Sequence, residues 1–286
     1  MTEPVSQKKV ILQMLLSVVL FSANVLIIRG LSLSENIDGW MTSFTRGLAG
    51  AIFILALYTR GRGLHLRNLH KPGLILRGIL GVITITILYF TILHLGASRA
   101  VFINLTYPLW GTLIASFWLR EKVSINSVFL LLLAATGLAL FFSNNLAHAS
   151  FNTWDLIAIL GAVLAGTTVV LLRYLTRTES AATIYSAQCF ITLLTTAPLA
   201  FPAFNTTSAL AWTLLLIGGV LVAYAQILLT KGFYHLDVAR GSALQMLLPI
   251  FTAAGAFILF DESFTPLELF GATLTLFATW RISVAR

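Results

Sequence analysis

The sequence predicts an all-α polytopic membrane protein, with ten transmembrane helices built as two inverted five-helix repeats. Three observations carry that prediction. Of 286 residues, 58% are hydrophobic and only 10% are charged, whereas about 25% of an average soluble domain is charged. Ten apolar runs are each about as long as the hydrocarbon core requires. The second half of the chain also repeats the first at a fixed offset of 141 residues.

So few charges cannot coat a water-facing surface of this size. That excludes an ordinary soluble enzyme, a disordered chain and a secreted disulfide scaffold. The single cysteine, Cys189, excludes an intrachain disulfide and a cysteine metal cluster.

The runs follow in order. Residues 10–28 are uncharged and are closed by Arg29, with no small-residue cleavage site after them, so they read as a retained helix rather than a signal peptide. Residues 40–58 are interrupted only by Arg46, and residues 73–93 carry Arg77 near their start. Residues 100–119 and 124–143 are uncharged. The second set is 156–172, 181–201, 209–230, 241–260 and 266–283. The last is the weakest, because Glu268 and Arg281 shorten its apolar centre. Continuous apolar runs of this length are helices, since barrel strands alternate over about ten residues. Within lipid a helix satisfies its own backbone.

Lysine and arginine set the expected orientation. With the N-terminus in the cytoplasm, 15 of the 18 Lys and Arg residues fall on that side, and only Arg29, Arg46 and Arg99 on the other. The expectation is a bacterial inner-membrane, multi-pass protein with both termini cytoplasmic. The net charge of +8 is then a topology signal and a contact with anionic membrane lipid. No basic element stands clear of the membrane to bind nucleic acid.

At the offset of 141, residues 94–124 align without a gap on 235–265, with six identities in 31 columns. His94, Leu95, Arg99, Pro108, Ala115 and Glu121 fall on His235, Leu236, Arg240, Pro249, Ala256 and Glu262. Asn104 falls on Gln245, and an offset of 144 puts Arg29 on Arg173. Five helices per repeat is odd, so the second repeat enters the membrane from the opposite side. Inverted repeats of this kind build many secondary transporters, with substrate near the midplane between the halves.

The stretch 100–108 with Asn104 and Pro108, then Glu121, then 129–140 with Gly137, resembles the EamA domain, the repeat unit of the drug/metabolite transporter superfamily. Residues 241–249, Glu262 and 267–280 repeat the pattern, and Arg46 also fits it, with the looser counterpart Gln188. The resemblance covers repeats at 10–143 and 152–284. It implies alternating access and small organic metabolites as substrates. Relatives are described as moving amino acids, purines, riboflavin, adenosylmethionine and opine-type metal chelators.

Residue placement gives a candidate lining. On the fourth helix Asn104, Pro108, Gly111 and Ala115 share one face, as do Gln245, Pro249, Thr252 and Ala256 on the ninth. Both stripes are small or polar within bulky apolar helices, which suits either a cavity wall or close helix packing. Pro108 and Pro249 each free a carbonyl one turn earlier and kink the helix. Asn24 and Thr168 lie at matching depth in the first and sixth helices. Tyr89, Tyr224 and Trp110 offer ring faces, and Gln226 lies near Tyr224. The expected substrate-binding set is Asn24, Tyr89, Asn104, Trp110, Thr168, Tyr224, Gln226 and Gln245. These are neutral, which favours polar or zwitterionic solutes over net ions. Arg46 is expected to find a partner or snorkel outward, with contact to an anionic substrate as the alternative.

Other chemistry is set aside. No P-loop occurs, no His/Asp/Glu set has metal spacing, and no convergent titratable groups support an intramembrane enzyme. No cofactor is expected. No Asp or Glu lies mid-span, which argues for a facilitator or exchanger over a strong proton-coupled pump. The leading expectation is export of amino acids or related metabolites. The alternatives are uptake of a vitamin-like ring compound such as riboflavin, or export of an opine-type metallophore. A homodimer is left open.

Overall fold

The computed structural model describes residues 6–34, 38–58, 63–143, 151–261 and 263–284. The described residues are helical with short connections and contain no strand. The helices are α1 (Gln7–Ser34), α2 (Gly39–Tyr58), α3 (Pro72–Leu95), α4 (Ala97–Asn104), α5 (Tyr107–Trp118) and α6 (Ile125–Phe141). The second set is α7 (Thr153–Leu175), α8 (Ala181–Ala200), α9 (Ala209–Gly232), α10 (Val238–Gln245), α11 (Leu248–Phe260) and α12 (Pro266–Val284). Eight spans are long and apolar enough to cross a membrane, counting α4 with α5 and α10 with α11 as single spans; α6 is shorter. The less apolar α12 lies along α6.

Helix starts are set locally. Ser124, Asn152, Ser180, Ser208 and Asp237 cap α6 to α10, each side chain accepting from a backbone N–H two or three residues on. These caps satisfy donors that the first turn leaves unpaired.

The fourth and ninth spans are each broken in two at the same place. Leu105 and Thr106 separate α4 from α5, and Met246 and Leu247 separate α10 from α11. Pro108 and Pro249 are the second residues of the helices that resume. A proline cannot donate to the carbonyl four residues earlier and its ring crowds that carbonyl; here those carbonyls belong to Asn104 and Gln245. The expected kinks are therefore full interruptions, bridged by tight turns such as Thr106 N–H to Ile103 O at 3.1 Å and Met246 N–H to Ala243 O at 3.0 Å.

The pairing of helices follows the inverted repeat. If α1 corresponds to α7 and α3 to α9, the packing of α1 on α9 mirrors that of α7 on α3. The packing of α2 on α9 mirrors that of α8 on α3. Helix α2 meets its own counterpart α8, and α6 meets α12. Thr275 Oγ1 donates to Ala134 O at 3.3 Å, and the two residues are 141 apart. A residue touching its own equivalent lies on the pseudo-two-fold axis. Arg120 (φ 55°) and Asp261 (φ 53°) are the only described non-glycine residues with positive φ, and they too are 141 apart. Both repeats thus close the fourth span with a left-handed residue at the same position, a conformation costing about 1–2 kcal/mol for a side chain with a Cβ.

The outer face is apolar: Leu93, Phe117, Ile125, Leu194 and Ile258 are each at least 75% exposed. In water such a girdle would aggregate; in lipid it needs no cover. Gln7 Nε2 donates to Ser283 O at 3.2 Å, which brings the first and last helices together at one end of the bundle. The largest buried cluster, with Val10, Met14, Leu74, Leu172, Ile184 and Phe233, fills that same end.

Candidate functional site

A cavity of about 300 Å³ lies toward the other end, between α1, α2 and α3 of one repeat and α8, α9 and α11 of the other. Its polar wall is formed by Asn24, Thr42, Ser43, Arg46, Tyr89, Tyr185, Gln188 and Thr192. Phe21, Ile28, Ile85, Leu88, Leu215 and Leu248 supply the apolar remainder.

Glycines let the helices approach. A Cβ on Gly218 of α9 would sit 2.6 Å from Asn24 Oδ1, so the asparagine packs directly onto that backbone. The Tyr89 ring lies over Gly39, and its hydroxyl meets Ser43 Oγ at 3.5 Å. Tyr185 Oη and Cys189 Sγ both press against Gly50, each 2.6 Å from where a Cβ would be.

Of the residues expected to line a site, the structure gathers Asn24 and Tyr89 in this cavity. Gln245 is buried beside α1, its Nε2 donating to Ser17 Oγ at 3.2 Å. Asn104, the last residue of α4, is partly buried and outside the cavity wall. Thr168 is buried and returns its hydroxyl to Leu164 O at 2.8 Å. Gln226 is buried within α9. Tyr224 is 45% exposed on the outer face, near Phe53. Trp110 lines a second, apolar recess of about 800 Å³ with Leu109, Leu113, Val128 and Leu132, and its Nε1 donates to Thr106 Oγ1 at 3.3 Å.

The small stripe of the fourth span is a packing surface. Gly111 of α5 meets Gly166 of α7 so closely that a Cβ on Gly166 would lie 2.6 Å from Gly111 N. Ala115 is fully buried beside Val170 and Val238.

The cavity is not neutral, as the sequence had suggested. Arg46 is part of its wall. Sequence reading singled out Arg46 and Gln188, but passed over Arg77, Tyr185, Cys189 and Thr192. One signal was available: Tyr185, Gln188 and Thr192 follow helical spacing along one face of the seventh span.

The end of the bundle near the termini is sealed by polar contacts between the two repeats. Glu121 accepts from Arg173 Nε at 3.2 Å and from Val238 N at 2.9 Å. Glu121 thereby caps α10, in the other repeat. Arg173 also donates to Phe233 O. Glu179 is buried and accepts from Lys71 at 2.5 Å and Asn68 at 2.8 Å, while its backbone carbonyl accepts from Tyr234 Oη at 2.6 Å. Burial pushes the Glu179 carboxyl up, but the Lys71 and Asn68 hydrogen bonds outweigh it and hold the group below the ordinary carboxylate range. Ser180 donates to Gly63 O, and Thr183 Oγ1 accepts from His65 N at 3.0 Å. At the opposite end Arg99 pairs with the buried Asp155 at 2.7 Å; beside the seal itself, Arg240 pairs with Asp237 at 3.2 Å at the start of α10. Glu262, the repeat counterpart of Glu121, lies outside the described residues.

A family model described as the EamA-like transporter family matches residues 8–143 and 152–284. Two Pseudomonas aeruginosa proteins, from strains UCBPP-PA14 and PAO1, are each named pseudopaline exporter CntI. Both are 24% identical to this chain over 241 residues, covering 84% of it and 84% of their own length. A protein of known crystal structure superposes with a TM-score of 0.79 at 17% identity, over 98% of this chain and 97% of its own. That likeness bears on the fold.

Proposed function

The chain belongs to the EamA-like transporter family, and from that membership we propose that it exports amino acids or related small metabolites across a bacterial inner membrane by alternating access. One observation carries the reading. A cavity walled by both repeats lies away from the termini, while the end near the termini is sealed by bonds from one repeat to the other. Placing the termini in the cytoplasm, as the Lys and Arg distribution favours, makes this an outward-facing arrangement. Breaking the seal and forming an equivalent one at the far end would turn the cavity inward, and the inverted repeat makes the two arrangements near equivalents.

The names of the Pseudomonas relatives favour export over uptake of a ring compound, and keep export of an opine-type metallophore as a second substrate reading. The substrate-binding residues proposed from the cavity are Asn24 and Tyr89 from the sequence-derived set, joined by Arg46 and Gln188. Asn104, Trp110, Thr168, Tyr224, Gln226 and Gln245 lie outside the wall of this cavity and are left out of the proposed set.

Metabolites in cells and medium, compared by mass spectrometry, test this. The strains are cells lacking the protein, cells expressing it, and cells expressing Asn24→Leu/Tyr89→Ala at equal membrane abundance. Export predicts one compound class enriched in the medium with the intact protein and not with the variant. Accumulation inside the cells would reverse the direction, and equal behaviour of variant and intact protein would overturn the site.

A further inference from the structure

Two arginines lie at or behind the cavity wall with no acid to match them: Arg46 in the wall itself and Arg77 behind Gln188. Arg77, on α3, is 5% exposed, and its Nε and Nη1 have no hydrogen-bond partner. Its side chain runs along its own helix toward the cavity. Nη1 lies 3.1 Å from the place a Cβ on Gly81 would take, and Gln188 Nε2 lies 3.5 Å from the same point. The guanidinium and the amide that lines the cavity therefore border the same room that the glycine leaves. Arg46 stands in the same cavity wall as Gln188. The buried Tyr185 hydroxyl lies against Arg46 and Cys189 in the same wall, without a well-formed hydrogen bond.

Among the described residues, neither Arg46 nor Arg77 forms an ion pair. The carboxylates in ion pairs, Glu121, Asp155, Glu179 and Asp237, are all engaged elsewhere. A guanidinium does not shed its proton to escape burial. An unpaired charge in a low-dielectric interior is among the costliest features a fold can carry, and two of like sign cost more. Helix packing alone gives no return for that cost; an incoming anion does.

We infer that Arg46, Arg77, Tyr185 and Gln188 form an anion-binding site that holds a carboxylate or phosphate group of the transported solute. This rests on the cavity being the transport site, and it narrows the substrate class to metabolites bearing at least one oxyanion. Forked guanidinium donors match the geometry of such groups, and the phenol and amide supply further donors. Asn24, Ser43 and Tyr89, higher in the cavity, then face the remainder of the solute.

The test is binding by the purified full chain in detergent, followed by thermal unfolding through intrinsic tryptophan fluorescence. The probes are citrate and inorganic phosphate, with sodium chloride at equal ionic strength and acetamide, an uncharged solute with no oxyanion, as controls. The variants are Arg46→Gln, Arg77→Gln and Arg77→Lys, with the exposed Arg177→Gln for comparison. A saturable rise in the unfolding midpoint is expected with citrate or phosphate beyond the chloride effect, and the probe that gives it distinguishes carboxylate from phosphate. Arg46→Gln and Arg77→Gln should each weaken that response roughly ten- to hundredfold. Arg77→Lys should fall between, and Arg177→Gln should match the intact protein. Without anion, Arg77→Gln should unfold no lower than the intact protein, because it removes an uncompensated charge. A lowered anion-free midpoint with an unchanged anion response would make Arg77 a packing residue and overturn the proposal. So would the absence of a saturable response to both probes, or a response no greater than that to chloride. Binding is read without transport, so a failure of the export reading leaves this result standing, and the reverse.

Discussion

Removing the charge from Glu121 should loosen the seal between the repeats. Glu121 and Arg173 keep side-chain exposures of 15% and 21%, low enough that solvent screens them only partly. Glu121→Gln keeps the size of the side chain and an acceptor for Val238 N, but loses the ion pair with Arg173. A charge-assisted hydrogen bond in this setting contributes about 2 kcal/mol net. That shifts the balance between sealed and unsealed arrangements by about 30-fold. The sole cysteine offers a readout, because Cys189 lines the cavity and is 2% exposed. Its rate of labelling by a membrane-impermeant thiol reagent, applied from the side of the termini, follows the unsealed population. The expected result is a rise of about 30-fold in Glu121→Gln, with no rise when the distant Asp155→Asn is tested. An unchanged labelling rate in a Glu121→Gln protein that melts at a lower temperature would refute the reasoning. The pair would then stabilise the fold as a whole, not the sealed arrangement.

Further outcomes follow from the same contacts. Asp155→Ala removes both the ion pair with Arg99 and the contact with Asn152 N that completes the cap of α7, so it should cost about 2–4 kcal/mol, seen as a lower unfolding midpoint. Gly166→Ala places a Cβ against the backbone of Gly111, where a neighbouring side chain cannot yield; a loss of about 1–3 kcal/mol is expected, measured the same way. The Glu179 carboxyl titrates below its ordinary range in the sealed protein. Its contribution is therefore complete above the unfolded value of about 4.3 and is lost as pH falls through the lower folded value. The unfolding midpoint of the intact protein should exceed that of Glu179→Gln from neutral pH down to about that value, and the gap should close in stronger acid. The exposure of Lys71 keeps this gap modest.

Much of the fold was legible in the chain because lipid imposes few rules and strict ones. Apolar run length gives the spans, and an odd number of spans per repeat gives the inversion. The pairing of Ala134 with Thr275 and the left-handed Arg120 and Asp261 are physical consequences of the same duplication. The site was less legible. Sequence gives the depth of a residue along its helix, but rotation toward a neighbour depends on packing against other helices. Asn24 and Tyr89 turn into the cavity, whereas Tyr224 turns outward. Gly111 and Ala115 proved to be contact points because Gly166 stands opposite, in the other repeat, at a sequence distance no local pattern reveals. Arg77 was hidden differently. Near the start of its span it resembled an ordinary positive flank of the membrane, and only the path of its side chain past Gly81 brings it behind Gln188 of the cavity wall.

The central claim is that the seal between the repeats must open for transport, and a removable cross-link tests it most directly. A Cβ on Gly63 would lie 3.8 Å from Ser180 Cβ, close to the mean spacing of about 3.8 Å across a disulfide. Gly63 has φ +89°, so a cysteine there carries a strain of about 1–2 kcal/mol, within the stabilisation a disulfide supplies. Gly63→Cys/Ser180→Cys in a Cys189→Ser background joins the connection between α2 and α3 to that between α7 and α8. Efflux of the metabolite enriched in the medium is then measured before oxidation, after oxidation and after reduction. The account predicts efflux at the level of cells lacking the protein while the bond is closed, and recovery once it is reduced. Full efflux through quantitatively cross-linked protein would contradict it.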